Sequence, residues 1–538
     1  MLFRSAMHIE GAPQTPGERL LWRLLALVAA AAMASLLAHV LLRIGYRYDL
    51  EWMEGAMVDH AARAQSGIGI YTAPSAEHVP FLYTPMLFWL GALVAQITGS
   101  GPVALRLVSF GAFVACAWIL ARWTRRETAS RMAGLVAAGL LCAGYGFLRS
   151  WYDLARNDTL FLLGMLATGW LLRFGGNRAA LWARATATFA FLSKQSALLW
   201  LPALGLGLLL VDWRRALLFA LSTAVILGST VLTLHLSTDG WFTFYVFEMP
   251  RHHGWQGEYK LRFFTSDLLP LLPIVLLSLV ACAQRFRADP GEAALLAAFA
   301  GGATLTSYLS RLHVGGYDNV VMPAFAACCM LAPIASAQAR KGTRARWLAL
   351  LCLQFALLTI DVRAAWEQGR NWVQGFGSQF LPSQANARAN DEFLAALAAI
   401  EGPVFVPFHG NAAAMAGKPR VAHAQAIHDL LQALPHGANG QPDLAAFADA
   451  GRLADLSPRT REALTSFYGS VHDAIRTKQF GALVLDQPIG PVFEALFAPS
   501  IAGNYERRPG EVLSAPTAFQ PTVGMVTHSP YVLVPAKK

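Results

Sequence analysis

Long apolar stretches punctuated by short basic clusters dominate the first two thirds of the chain, and ordinary mixed sequence follows after about Val362. A membrane-spanning helix needs about 20 apolar residues, since each rises ~1.5 Å through a hydrocarbon layer of roughly 30 Å. The pattern predicts spanning segments near 21–42, 103–122, 131–148, 159–173, 180–193, 196–211, 216–235, 267–284, 293–310, 319–337 and 347–363. The stretch 80–98 is different. Pro80 and Pro85 interrupt its start and leave Met86 to Ile97 as smooth helix, about 18 Å long, which is too short to cross unaided.

Basic residues decide how that stretch is placed, because arginine and lysine collect on the cytoplasmic side of membrane proteins. If 80–98 lies in the interface rather than crossing, then Arg122, Arg125, Arg126 and Arg131 fall on the same side as every later cluster: Arg173 with Arg178, Arg214 with Arg215, Arg285 with Arg287, and Arg340 with Lys341, Arg344 and Arg346. The predicted fold class is a polytopic α-helical membrane protein with about eleven transmembrane helices and interfacial helices in its first outer loop. Its N-terminus is expected in the cytoplasm of a bacterial cell and its tail on the periplasmic side of the inner membrane. The chain divides into a membrane part, 1–363, and a periplasmic α/β domain, 364–538. Arg4 and Arg19 precede an apolar run longer than a signal-peptide core, so this run is read as an uncleaved anchor.

The tail predicts strands at Pro403 to Phe408, Ala482 to Asp486 and Tyr531 to Pro535. Its first helix is expected to be capped by Asn390 or Asp391, to bury Phe393, Leu397 and Ile400, and to end at Gly402.

Composition agrees with the pattern: 55% hydrophobic against 14% charged residues is too apolar for a chain of soluble domains. The net charge of +10 resides mostly in the orienting clusters, so no nucleic-acid partner is expected. All six cysteines fall inside apolar segments and read as small buried hydrophobes.

Ionisable residues gather in the predicted outer loops. The first contains Asp49, Glu51 and Glu54; the second reads Trp151-Tyr152-Asp153-Leu154-Ala155-Arg156-Asn157-Asp158-Thr159; Lys194 sits between two short apolar halves. A carboxylate at a desolvated edge has the raised proton affinity of a general base, although Asp158 before Thr159 also reads as a simple helix cap. A lysine at membrane depth demands a partner. With Arg149, Arg156, Arg251, Lys260, Arg262 and Arg311 it makes the outer face basic, as an anionic lipid phosphate would require. Glu248, His252, His253 and Glu258 in the fourth outer loop lack the spacing that fixes a metal site, so no cofactor is predicted and a divalent ion has no ligand pattern to support it. No phosphate-binding loop or dinucleotide fingerprint is present.

Several short motifs occur in order over residues 45–320: Glu51-Trp52-Met53-Glu54-Gly55, Gly69-Ile70-Tyr71, Tyr83-Thr84-Pro85-Met86, Leu105-Arg106-Leu107-Val108-Ser109, Ala155-Arg156-Asn157-Asp158-Thr159-Leu160, Ser193-Lys194-Gln195-Ser196-Ala197 and Gly315-Gly316-Tyr317-Asp318-Asn319. Together they resemble the GT-C membrane glycosyltransferases, in their protein O-mannosyltransferase-like branch. The resemblance implies a polyprenyl-phosphate sugar donor, a membrane groove for its tail, and transfer on the outer face to a glycan, lipid or protein acceptor, with inversion at the anomeric carbon. It makes a first-loop carboxylate the base. The family's adjacent Asp-Glu pair is missing, so Glu54 is ranked first, Glu51 second, and Asp49 remains a rival. Asp158 would orient the acceptor or pair with a cation; Arg156, Lys194 and Arg251 would hold the donor phosphate; Asp49, Tyr83, Gln195, Asp318 and Asn319 would contact substrate. The alternatives are a non-catalytic transporter of lipid-linked sugars and an envelope-assembly scaffold.

Overall fold

The computed structural model describes residues 15–175, 177–359, 378–436, 442–448, 451–486, 490–508, 521–525, 527 and 531–537. Each predicted spanning segment overlaps a helix, and positions 360–363 of the last one lie outside the described residues. These helices are α1 (Pro16–Arg43), α4 (Pro102–Thr128), α5 (Arg131–Ala143), α6 (Asp158–Phe174), α7 (Asn177–Ser193), α8 (Ala197–Leu209) and α9 (Trp213–Ser237), followed by α10 (Leu272–Ala288), α11 (Pro290–Leu312), α12 (Met322–Ala337) and α13 (Arg344–Leu358). The first loop adds α2 (Glu54–Gln65) and α3 (Met86–Thr98). Among the described residues, six helical stretches are long and apolar enough to cross a membrane by length and composition, and α3, α5 and α8 are shorter apolar helices. The molecule is thus a mostly helical, multi-pass membrane protein with a small sheet in its tail.

Side-chain contacts fix which helix ends lie together. At one end of the bundle, Glu127 at the close of α4 pairs with Arg173 of α6 (2.8 Å) and with Arg285 of α10, while Glu292 of α11 accepts from Arg173 at 2.9 Å. Arg344 of α13 stands 3.6 Å from Glu18 of α1 at this same end, which Gln338 joins by donating to the Glu127 carbonyl at 3.0 Å. At the other end, Arg43 at the close of α1 grips Asp153, and Arg106 near the start of α4 grips Glu54. The end of α1 and the beginning of α4 therefore share a side, and α2, α3 and their connections stay on it without crossing. Placing 80–98 outside the spanning set agrees with this geometry.

Burial separates the centre from the rim. The apolar window of the stretch that includes α12 is 94% buried, whereas that of α9 is 11% buried and presents Leu217, Leu221, Val225 and Leu232 outward, as a lipid-facing helix would.

The tail contains a four-stranded sheet in the order β1-β2-β4-β3, with β1 (Val404–Phe405) parallel to β2 (Ala482–Leu485), and β4 (Tyr531–Pro535) antiparallel to both β2 and β3 (Tyr505–Arg507). Around it stand α14 (Gln384–Ala399), α15 (Ala424–Leu431) and α16 (Pro458–Arg476). The expected strands are present, and β3 is added to them. The expected cap of α14 is corrected: Ser383 caps it in a reciprocal box with Asn386, and Asp391 instead accepts a hydrogen bond from the Tyr48 hydroxyl. Phe393 and Leu397 are buried as expected, Ile400 lies just past the last turn, and Gly402 adopts the left-handed conformation at φ 76°. The proposed boundary at 363/364 and the basic residue Arg4 lie outside the described residues.

Tail and first loop are in close contact. Arg43 donates to the Phe380 carbonyl at 2.9 Å, Val523 N donates to Leu50 O at 3.0 Å, Ala422 N donates to Ala76 O at 2.9 Å, and Arg420 pairs with Asp59. The backbones of Gly55 and Gly410 meet so closely that a Cβ on Gly55 would stand 1.9 Å from the Gly410 carbonyl oxygen.

Candidate active site

The Glu51-Trp52-Met53-Glu54-Gly55 run turns the chain from α1 into α2, and each carboxylate faces a different environment. Glu54, the first residue of α2, is fully buried. Its Oε1 accepts from Arg106 Nε (3.1 Å) and Ala155 N (2.7 Å), and its Oε2 accepts from Arg106 Nη2 (2.5 Å) and Leu50 N (2.7 Å). Burial pushes this carboxyl up, but Arg106 and the two amides more than offset it, so its proton affinity is below the usual range. Glu54 clamps three loop segments together and lines no part of the cavity that Glu51 faces. The sequence ranks Glu54 first as the base and Glu51 second; the structure fills both Glu54 oxygens with internal partners and turns Glu51 toward the cavity.

Glu51 lines a cavity of about 480 Å³ walled by the first and second outer loops, the break between α7 and α8, the α9–α10 connection, the segment after α11, and α15 of the tail. Its Oε2 stands 3.3 Å from Arg156 Nη1. Burial raises its pKa to about 7 while the neighbouring Arg156 guanidinium opposes the rise. Such a group is ionised in part near neutrality and has the proton affinity of a general base. Tail backbone covers it: Val523 bridges to Glu51, and a Cβ on Gly524, whose φ is 85°, would stand 2.9 Å from Glu51 Oε1.

Arg156 is held by Tyr83, whose hydroxyl accepts from Nη2 at 2.8 Å, and lies over the rings of Tyr83 and Trp151. Lys194 interrupts the helical run between α7 and α8 and projects its Nζ to 2.6 Å from Asp158 Oδ1. Asn319 donates to the same oxygen at 2.9 Å. Asp158 is thus the positioning partner of Lys194 at the first turn of α6, and the position before that helix is held by Asn157, whose side chain donates to Ser193 O at 2.7 Å. Gln195 donates to Leu82 O at 2.9 Å. Arg251 reaches the cavity from the α9–α10 connection.

Of the residues expected at the site, Glu51, Tyr83, Arg156, Lys194, Gln195, Arg251 and Asn319 line this cavity. Glu54, Asp158, Asp49 and Asp318 do not. Asp49 stands beside the buried Leu50 on the first-loop turn, and Asp318 pairs with Arg311 at 3.2 Å, a neutralised position. His253, Trp255 and Tyr317 also line the cavity, as do Asp429 and Gln425 of α15, which the sequence did not single out. Asp429 carried one weak signal, an acidic residue among the buried positions of a strongly amphipathic helix, Ala424–Leu431.

Four buried polar atoms around this site, Arg156 Nε, Asp158 Oδ2, Gln195 Oε1 and Asn319 Oδ1, have no hydrogen-bond partner among the described residues. Buried polar atoms are nearly always satisfied, so their concentration here marks a place for a polar ligand or ordered water. Beyond Leu198, which belongs to both linings, an apolar groove of about 690 Å³ runs between α8 and α9 past Leu201, Gly205, Leu209 and Phe219. Among the described residues no group of three or more His, Cys, Asp and Glu side chains forms a metal-binding cluster.

The family model described as dolichyl-phosphate-mannose-protein mannosyltransferase matches residues 79–240, from the middle of the first loop to the end of α9. No curated protein matches the sequence. The structure is similar to that of ArnT from Cupriavidus metallidurans bound to undecaprenyl phosphate, with a TM-score of 0.57 at 12% identity, covering 94% of this chain and 97% of that one. It is likewise similar to the same enzyme in its apo state, with a TM-score of 0.54 at 14% identity and the same coverage. At these identities the likeness is one of fold: the chain shares the ArnT fold over nearly its whole length.

Proposed function

We propose that this protein is a membrane glycosyltransferase that moves a sugar from a polyprenyl-phosphate donor to an acceptor hydroxyl. The observation that carries the reading is the carboxylate of Glu51 sharing with the cations Arg156, Lys194 and Arg251 a single cavity that continues at Leu198 into a groove of apolar side chains. A polar headgroup site joined to a long apolar channel suits a ligand with a phosphate at one end and a hydrocarbon chain at the other. The matched family model and the undecaprenyl phosphate bound by ArnT support the same donor class.

In this mechanism the donor phosphate rests on Lys194 and Arg156, with Arg251 closing over it, and its tail lies along α8 and α9. Glu51 removes the proton from an acceptor hydroxyl as that oxygen attacks the anomeric carbon, and the bond from carbon to phosphate oxygen breaks. The departing polyprenyl phosphate gains negative charge, which the fixed cations stabilise in a low-dielectric site. No separate acid is needed, because phosphate is already a stable leaving group. Attack opposite the departing phosphate inverts the anomeric centre. Asp158 and Asn319 hold Lys194 in place, and Glu54 with Arg106 holds the first loop.

The basic end of the bundle, with Arg173, Arg285 and Arg344, is assigned to the cytoplasm, and the cavity to the periplasmic side of a bacterial inner membrane. The tail then forms a periplasmic α/β domain closing the site, and the N-terminus is cytoplasmic. The decisive experiment is reconstitution of the full chain in proteoliposomes with a panel of labelled undecaprenyl-phosphate sugars. Acceptor-dependent release of undecaprenyl phosphate, lost in Glu51→Gln, supports transfer; movement of the intact donor across sealed vesicles without release overturns it in favour of a carrier.

A further inference from the structure

The tail contributes more than a cover to the cavity. Gln425 and Asp429, one turn apart on α15, both face it. The helix is pinned by Ala424 N donating to Pro407 O at 2.7 Å, and the His423 ring packs 5.0 Å from that of Trp52 in the first loop. Gln425 Nε2 donates to Asp429 Oδ1 at 2.6 Å, and His253 Nε2 stands 3.4 Å from the same oxygen. Asp429 Oδ2 accepts no hydrogen bond among the described residues, and Trp255 stands at the cavity rim, 64% exposed.

The chemistry of this wall differs from that of the opposite one. Asp429 is buried with no arginine or lysine in ion-pair contact among the described residues, and burial lifts its pKa to about 8 against the pull of Gln425 and Arg156. Burial, with His313, His428 and His252 nearby, lowers that of His253 to about 4. Burial thus favours the uncharged form of both groups. A neutral carboxyl, an amide and an imidazole offer donors and acceptors in alternation, which suits vicinal hydroxyls and gives no attraction for a phosphate or a metal ion. Arg156 and Asp429 line the same cavity, so a sugar whose phosphate rests on Arg156 has this wall within the same enclosure.

We propose that Asp429 and Gln425 form the subsite that grips the hydroxyl groups of the donor sugar, so that sugar selection resides in the C-terminal part of the chain. This rests on the transferase reading above and deepens it. Lys194 and Arg156 bind what every donor shares, the phosphate, and α15 reads what differs between donors.

The test compares two ligands on the purified full chain: undecaprenyl phosphate, and a panel of hexosyl and pentosyl undecaprenyl phosphates. In Asp429→Ala the affinity for the preferred sugar-bearing lipid falls about tenfold or more, while that for undecaprenyl phosphate stays within about twofold of wild type. Gln425→Ala shifts the same preference in the same direction, and Asp429→Asn alters the ranking among sugars at an unchanged melting temperature. Equal affinity of Asp429→Ala and wild type for the sugar-bearing lipids overturns the proposal. So does an equal loss for both ligands, which would give Asp429 a purely structural role. Wild-type chain that binds neither lipid overturns the transferase reading and this proposal with it, whereas wild type that transfers sugar while Asp429→Ala matches it in donor preference overturns this proposal alone.

Discussion

Arg106 Nη2 and Glu54 Oε2 stand 2.5 Å apart with both side chains fully buried, directly behind the wall from which Glu51 faces the cavity. Two glutamates three positions apart thereby meet different surroundings, one paired inside the loop and the other facing the cavity.

Their substitutions separate the two. Glu54→Gln leaves the Arg106 charge buried without its partner and is expected to cost about 3–5 kcal/mol of stability. Glu51→Gln keeps the shape of the side chain and the melting temperature but is expected to lower kcat by about 100- to 10,000-fold. Thermal unfolding in detergent alongside transfer in proteoliposomes checks both; loss of folding in Glu51→Gln with retained activity in Glu54→Gln would reverse the assignment.

The Glu51 carboxyl sets the direction of the pH profile. A general base works ionised, and burial raises this group to about 7, so kcat/KM is expected to climb as pH rises from about 6 to 8. Arg156 holds the pKa down, so Arg156→Met moves the rising limb to higher pH as well as weakening the reaction. A profile flat across this window would remove Glu51 from the proton transfer.

Lys194 is the cation with a fixed address, paired with Asp158 at 2.6 Å. Lys194→Met is expected to reduce kcat by about 100- to 1,000-fold, the usual effect of removing one stabiliser of developing charge. Asp158→Asn frees Lys194 rather than removing it, and the expected loss is smaller. Single-turnover measurements at saturating donor distinguish an effect on the chemical step from one on binding.

The groove between α8 and α9 predicts a dependence on chain length. Gly205 lines the groove and a Cβ there would meet no atom within 4 Å, so Gly205→Trp starts a bulky side chain from open space in the channel. Its expected effect is a raised KM for undecaprenyl donors and little change for a donor with a tail of one or two prenyl units. Equal effects on both would place the tail elsewhere.

Gly55→Ala probes the seam between the first loop and the tail. The added methyl would sit 1.9 Å from the Gly410 carbonyl oxygen, a contact that backbone must move to relieve. Faster proteolysis of the tail and reduced transfer are expected, with the bundle helices intact by circular dichroism.

The bundle was legible because membrane helices obey two strong rules: an apolar run long enough to cross, and bases gathered on one side. The eleven predicted segments and the lateral placement of 80–98 follow from these, and the same rules brought attention to Lys194 as a charge out of place. The cap of α14 was less legible. Ser383, Asn390 and Asp391 are all residue types that cap helices, and Asp391 is engaged by Tyr48 from a distant loop.

Hydrophobic length and charge sign are properties of the chain, so sequence alone makes this a multi-pass membrane protein with carboxylates and cations in the loops between its helices. Tertiary structure decided which of those groups share a cavity. Glu54 and Glu51 look equivalent in the chain, and only the arrival of Arg106 from α4, fifty-two positions away, ties up the first and leaves the second facing the site. Asp429 enters through a helix of the tail that no local pattern links to the first loop. Partner identity in a buried ion pair or hydrogen bond depends on three-dimensional proximity, which spacing along a chain does not encode.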